Sequence, residues 1–272
     1  MPDTTISQLG SLNAITANSV IPVSDGTTTQ KYSLANTIYG MRNRIHNGDF
    51  RIWQRGTTFN NIAGNGARVY TADRWAFSQN NPPSNFVQRL GGLPFYAFGG
   101  FTYCIRAGKP SGSSLVDQYR LWQSIESFNC YDLANKKVTL SFWARKGASY
   151  CGGNSFFVAL VTGTGVDQDG NLVAGNGWFT QSNVIVAYPD LDTAGKRFVY
   201  TGTVGPLIGE MQVYFGWNTS GTASNNNDYL EITGVQLEEG EVATPFEKRD
   251  FALEYWMCCR YYNGGGYTRG DL

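Results

Sequence analysis

The chain has 272 residues, 42% hydrophobic and 15% charged, and its 21 Lys+Arg balance 21 Asp+Glu to a formal net charge of zero. That balance excludes the long-range positive field on which nucleic acid or anionic lipid binding draws, and no apolar run reaches the ~18 residues of a bilayer span. The single histidine, His46, excludes a multi-histidine metal site, while 33 Gly, 16 Phe, 16 Tyr and 7 Trp favour short strands and tight turns over helices.

The first residues, Met-Pro-Asp-Thr-Thr-Ile-Ser, have neither a basic start nor an apolar run. The expectation is therefore no signal peptide and a soluble protein made in a reducing cytosol. Residues 1–40 contain no Trp or Phe and are rich in Thr and Ser. Ile6, Leu9, Leu12 and Ile15 recur every third residue, as in a turn or 3₁₀ segment with one apolar edge. Val20-Ile21-Pro22-Val23 reads as a strand, Ser24-Asp25-Gly26 as a turn, and Lys31-Tyr32-Ser33-Leu34 as the return strand of a hairpin. Residues 34–39 read as a short helix capped by Ser33 and stopped by Gly40. A piece this small and polar buries no core of its own. It leans on the next domain, on copies of itself or on a partner, or else is a loose arm.

From residue 41 to residue 262 the pattern becomes strict alternation. Leu121, Gln123 and Ile125 oppose Trp122, Ser124 and Glu126. Val138, Leu140, Phe142 and Ala144 oppose Thr139, Ser141, Trp143 and Arg145. Met211, Val213, Phe215 and Trp217 oppose Gln212, Tyr214 and Gly216. Such segments are half-buried strands of antiparallel sheets. In the segment 230–237 the apolar parity flips from even to odd, which predicts a β-bulge near Gly234. Nine or ten such strands, with turn clusters at Gly152-Gly153-Asn154, Gly170-Asn171, Gly175-Asn176-Gly177 and Asn225-Asn226-Asn227, predict an all-β fold. Its architecture is an antiparallel jelly-roll β-sandwich preceded by the small N-terminal hairpin and helix module. Residues 251–262 fit either a short helix or a final strand, and 263–272 form a flexible Gly-rich tail. Cys104, Cys130, Cys151, Cys258 and Cys259 follow no zinc spacing. The neighbours Cys258 and Cys259 read as reduced, half-buried thiols, a vicinal disulfide being the alternative.

The chemistry-bearing feature is a set of rings on polar strand faces. Trp122, Trp143 and Tyr214 fall, by parity, on the face away from Leu, Ile and Val, with Glu126 and Arg145 beside them. Sugar C–H faces stack on such rings and sugar hydroxyls need such polar partners, so these residues form a candidate carbohydrate site. The alternative is that the N-terminal module or a neighbouring subunit covers them. Trp178, with Phe179 in the loop after Gly175-Asn176-Gly177, is a further candidate contact or else a plug in the sandwich edge. Catalysis is not expected. Paired carboxylates ~5–9.5 Å apart across a cleft are not singled out by the acidic clusters, and no Gly-x-Ser-x-Gly elbow accompanies His46. Asp167-Gln168-Asp169-Gly170-Asn171 lacks the ligand spacing of a calcium loop and reads as a hairpin turn.

Three stretches resemble bacteriophage tail-fibre or head-fibre virion proteins with a carbohydrate-binding-module-like jelly roll. The first is Asn47-Gly48-Asp49-Phe50-Arg51-Ile52-Trp53-Gln54-Arg55-Gly56, followed by Tyr70-Thr71-Ala72-Asp73-Arg74-Trp75. The second joins the segments 121–126 and 137–145. The third is Gly234-Val235-Gln236-Leu237-Glu238-Glu239-Gly240 with Ala243-Thr244-Pro245-Phe246-Glu247, running on to Cys259-Arg260-Tyr261-Tyr262. Ile6-Ser7-Gln8-Leu9 and Ile21-Pro22-Val23-Ser24-Asp25-Gly26 are similar to the module that begins many such fibres. The resemblance implies a non-enzymatic homotrimer located in the virion. Residues 1–40 would attach to capsid, neck or tail proteins and residues 41–262 would face a bacterial surface polysaccharide. It also implies a structural calcium ion where Asn47-Gly48-Asp49 nears the final strand, with Asp49 and Asp228 as candidate ligands. No other cofactor is expected.

Overall fold

A computed structural model describes residues 20–24, 29–33 and 41–264, apart from 65, 82–83, 92–99, 224 and 226–227. The chain divides into two compact units, Met1–Arg42 and Asn43–Leu272. In the first, β1 (Val20–Ser24) and β2 (Thr29–Ser33) pair antiparallel, with Val20 opposite Ser33 and Ser24 opposite Thr29. The apolar edge at 6–15, the turn at Asp25-Gly26 and the helix expected over 34–39 lie outside the described residues, as do residues 265–272 of the tail.

Among its described residues the second unit holds twelve strands and one α-helix. They are β3 (Thr58–Asn60), β4 (Val69–Tyr70), β5 (Ala76–Gln79), β6 (Phe86–Gly91), β7 (Tyr103–Gly108), β8 (Gln118–Ile125), β9 (Lys137–Lys146), β10 (Phe157–Gly163), β11 (Ser182–Ala187), β12 (Lys196–Thr203), β13 (Glu210–Asn218), β14 (Tyr229–Glu239) and α1 (Phe251–Cys259). Six form sheet I, in the order β11-β10-β13-β8-β5-β4, and six form sheet II, in the order β12-β9-β14-β7-β6-β3. All pairings are antiparallel, and successive segments cross between the sheets as in a jelly roll. The fold is therefore the antiparallel jelly-roll sandwich expected from the alternation. It has more strands than expected because β3 and β4 are too short to show a period.

The inward positions are those the alternation assigned. Leu121 and Ile125 of β8, Val138, Leu140 and Phe142 of β9, and Val213, Phe215 and Trp217 of β13 all lie in one buried cluster. Phe142 of sheet II meets Phe215 of sheet I edge-on at 5.0 Å and 78°, a geometry worth about 0.5–1.5 kcal/mol beyond area burial. The expected bulge is present. Thr233 pairs with Trp143 and Gln236 with Ser141, so Gly234 and Val235 together oppose Phe142. Gly234 takes a φ of +61°, which a side chain would resist. The extra residue moves the buried set from Leu230 and Ile232 to Val235 and Leu237, and frees the Val235 N–H to donate to Gly48 O at 2.9 Å.

Two expectations need correction. The strands are not solvated on one face, because Gln212, Thr139, Ser141, Thr233, Gln236 and Glu238 on the outer positions are also buried. Part of the cover comes from the chain's own connections: Gly170 O accepts from Gln212 Nε2 on sheet I, and on sheet II the Thr244 N–H donates to Glu238 Oε1. Nor is Gly170-Asn171 a hairpin turn; it opens a 3₁₀ segment, Gly170–Gly175, within the long connection between β10 and β11. The last apolar segment resolves as a helix. Asp250 caps it, accepting from the Ala252 N–H at 2.9 Å.

Candidate functional site

The first of the stretches that carry the fibre resemblance meets α1 and the tyrosines that end the third in one structural knot. The Asn47 side chain donates to Ile52 O (2.8 Å) and Asp73 O (3.0 Å) and accepts from the Ile52 N–H (3.0 Å). Its carbonyl accepts from Trp75 Nε1 at 3.1 Å, and its N–H donates to the buried carboxylate of Glu254 on α1. Arg249 completes the pair, with Nη1 3.1 Å from Glu254 Oε2. Tyr261 and Tyr262, which follow α1, lie under the guanidinium groups of Arg74 (3.4 Å) and Arg55 (3.5 Å). These side chains hold the first and last parts of the sandwich together. His46 sits beside them. Burial, reinforced by Arg74, Arg249 and Arg260, pushes its pKa down to about 3, so it is neutral at physiological pH and not poised as a general base.

The rings expected to form one platform are divided between two opposite faces. Trp122 and Tyr214 pair directly across β8 and β13 on the outer face of sheet I, as their parity requires. Trp143 lies on the outer face of sheet II, half-buried between the register partners Arg197 and Thr233. Alternation assigns a side of a strand but not the sheet to which the strand belongs. On sheet I the rings are not open. Trp122, Trp178 and Tyr214 form a second buried cluster with Val173, Ala76, Ala159 and Val161. The cover is the β10–β11 connection, where Gln212 Nε2 donates to Gly170 O at 2.9 Å and Trp178 Nε1 donates to Asp169 O at 3.0 Å. Trp178 is thus a plug, whereas its neighbour Phe179 is 70% exposed.

The polar partners are likewise dispersed. Glu126, at the end of β8, pairs with Arg260 beyond α1 at 2.6 Å. Arg145 on sheet II pairs with Glu231, whose side chain is fully buried and also held by Arg106. The candidate calcium ligands are not brought together either. Gly48 contacts Val235, seven residues or roughly 20 Å of strand away from Asp228. Asp49 instead pairs with Arg51, and Asp228 accepts from the Cys151 N–H (3.1 Å) and thiol (2.8 Å). The positive charge near that thiol is the fully buried Lys109, whose Nζ donates to Leu115 O and Gly221 O at 2.8 and 2.7 Å. Among the described residues no group of three His, Cys, Asp or Glu could hold a metal ion. All five cysteines are free.

What remains accessible on sheet I is a depression of about 150 Å³ beside the plug, floored by Phe157, Val173 and Tyr214 and rimmed by Gln118, Asn176, Gln181 and Asn183. Gly216 makes it possible. A Cβ there would lie 2.3 Å from the Phe157 ring, so only glycine lets that ring lie across β13. Phe157 is flanked by Tyr214 at 5.4 Å and by Tyr188 at 6.2 Å, and Tyr188 is 71% exposed. Burial raises the Tyr214 phenol to about 12, with Arg120 opposing the shift, so it stays a neutral hydroxyl. Gln181 donates to Asn176 Oδ1 (2.9 Å), and Arg120 donates to Gln118 Oε1 (3.1 Å), which orients three of the rim amides. Aromatic carbon below and amide groups at the rim match what a sugar ring offers, a C–H face and a belt of hydroxyls. Of the sequence-picked residues only Tyr214 contributes directly. Phe157, Tyr188, Gln118 and Asn183 were not singled out, and the pairing of Phe157 with Gly216 comes from the β10–β13 register, which alternation within a strand does not supply.

No protein-family model matches the chain, and no curated protein matches it. Among solved structures it is similar to the C-terminal family 22 carbohydrate binding module of Clostridium thermocellum Xyn10B, at 7% identity and a TM-score of 0.41 over 76% of this chain and 99% of that one. It is also similar to TmCBM61, solved in complex with beta-1,4-galactotriose, at 14% identity and a TM-score of 0.38 over 73% and 99%. A cyclase from Fischerella sp. TAU is similar at 14% identity and a TM-score of 0.38, over 74% and 98%. The assignment of a binding surface therefore rests on the chain's own side chains.

Proposed function

We propose that this chain is a non-enzymatic fibre protein of a bacteriophage virion whose β-sandwich binds a glycan of the host surface. In this reading residues 1–40 attach it to capsid, neck or tail proteins, and the assembled fibre is a homotrimer. The observation that carries the binding part is the Phe157 ring laid over Gly216, flanked by Tyr188 and Tyr214 and rimmed by four amide side chains. The virion part rests on the resemblance of the segments 47–56 with 70–75, 121–126 with 137–145, and 234–240 with 243–247 and 259–262, together with 6–9 and 21–26. A single shallow site binds weakly, but three linked copies and several fibres per particle raise avidity by about 10²–10⁴. The test is a glycan array and whole-cell binding with purified protein, wild type against Phe157→Ala and Tyr188→Ala. Loss of binding in both variants, at unchanged melting temperature and oligomeric state, supports the reading. Binding that survives both sinks it.

A second reading, a structural role as capsid decoration, head fibre or neck–tail adaptor, draws on α1. This helix buries Glu254 and Cys258 and turns Phe251, Leu253 and Trp256 outward, Trp256 being 72% exposed. An apolar helix face turned to solvent is the mark of a contact surface. Light scattering decides its weight. Trimers that Trp256→Asp converts to monomers, with no glycan or cell bound by wild type, would favour it.

A further inference from the structure

A second cleft lies apart from the sheet I depression. It has a volume of about 390 Å³ and is lined by Asp49, Arg51, Thr102, Tyr103, Phe246 and Lys248, with Phe101 and Gly100 completing the wall. That volume falls at the lower end of the ~300–1,000 Å³ range of ligand sites. Three rings converge there. Phe101 meets Phe246 edge-on at 4.9 Å, and Tyr103 lies under the Arg89 guanidinium at 5.0 Å. The charges are arranged unequally. Asp49 and Arg51 have side chains only 12% and 11% exposed and neutralise each other, with Arg51 Nε 3.5 Å from Asp49 Oδ2. Arg51 is fixed further by donating to Arg249 O at 2.8 Å. Lys248, by contrast, is exposed and makes no ion pair or hydrogen bond among the described residues. The cleft therefore sets two cations, Arg51 and Lys248, against the single carboxyl of Asp49 beside aromatic carbon, with Thr102 and Tyr103 completing the polar lining.

We infer that this cleft binds a sugar acid, a six-membered saccharide ring bearing a single carboxylate. The ring's C–H face packs on Phe246 and Phe101, its hydroxyls meet Asp49, Thr102 and Tyr103, and its carboxylate pairs with Lys248. A phosphate group fits less well. It brings close to two negative charges to a lining whose cations exceed its carboxyls by one, and the buried Asp49 carboxyl disfavours the added charge. The site shares no residue with the sheet I depression, so it stands or falls separately from the proposed glycan platform.

The test is amide NMR of the full chain titrated with glucuronate, glucose, acetate and inorganic phosphate. Glucuronate is expected to shift the Thr102, Tyr103 and Lys248 amides with a Kd of order millimolar, while Gln118 and Asn183 stay still. Glucose, acetate and phosphate should each bind at least tenfold more weakly. Lys248→Gln, an exposed change that leaves folding intact, should bring glucuronate down to the level of glucose. Phe246→Ala should weaken both sugars together. Equal binding of glucose and glucuronate, saturation by acetate alone, tighter binding of phosphate, or no shift at residues 102, 103 and 248 at about ten times that Kd would each overturn the inference. Shifts confined to Gln118 and Asn183 would overturn it too, and would speak for the sheet I platform alone.

Discussion

Replacing Gly234 with alanine tests the bulge and its neighbours together. Two costs are expected. A side chain at a φ of +61° adds roughly 1–2 kcal/mol of backbone strain. The new Cβ would also lie 2.4 Å from a ring carbon of Phe101, so the ring must leave its edge-on contact with Phe246. Such a contact is worth about 0.5–1.5 kcal/mol. The sum is about 1.5–3.5 kcal/mol, which lowers the melting temperature of a sandwich this size by roughly 3–14 °C. Urea unfolding followed by tryptophan fluorescence reads it directly. The same substitution in a Phe101→Ala background has no ring to displace and should cost only about 1–2 kcal/mol, the strain alone. The reasoning fails if Gly234→Ala costs under about 0.5 kcal/mol, or if its cost is the same with and without the Phe101 ring.

Three further outcomes follow from particular side chains. Trp178→Ala should destabilise by about 3–5 kcal/mol and expose Trp122, seen as stronger acrylamide quenching; unchanged quenching would mean that the β10–β11 connection does not cover the ring. Glu231→Gln should cost about 3 kcal/mol, because it leaves Arg106 and Arg145 facing each other without their shared carboxylate; a neutral result in urea titrations would count against that pairing. His46 titrates at 6.5 when unfolded and at about 3 when folded. Between those values the unfolded chain holds one more proton, so stability falls as pH drops, by about 1.4 kcal/mol per unit. His46→Asn should therefore flatten the stability profile between pH 6.5 and pH 4, and an unchanged slope would show that other groups dominate it.

Much of the sandwich was legible because a strand writes its faces into the sequence with period two. The inward sets of β8, β9 and β13 and the parity flip at Gly234 needed nothing else. The lids over those strands left no such trace. Parity places Trp122 and Tyr214 on an outer face but carries no information about a 3₁₀ segment some 50 residues away in sequence that folds down over them. It also cannot say that β9 belongs to the opposite sheet, which separates Trp143 from Trp122. The cleft is built from residues near 50, 102 and 247, and no local spacing marks a site assembled that way. Helix α1 was ambiguous because its apolar run suits either period. The informative signal was Asp250, which can cap a helix but contributes little to a strand.

The knot around Asn47 bears on how the protein is made. Asn47 donates to a carboxylate 207 residues further along, and the Gln54 side chain donates to a carbonyl 208 residues away. A ribosome delivers the early partners long before the late ones exist. Until α1 and the two tyrosines emerge, Asn47 lacks its Glu254 partner and the Arg74 guanidinium lacks its Tyr261 cover. The sandwich therefore cannot close vectorially from its first strand. Its nascent forms hold unpaired strand edges and call for protection from association until synthesis has passed Tyr262.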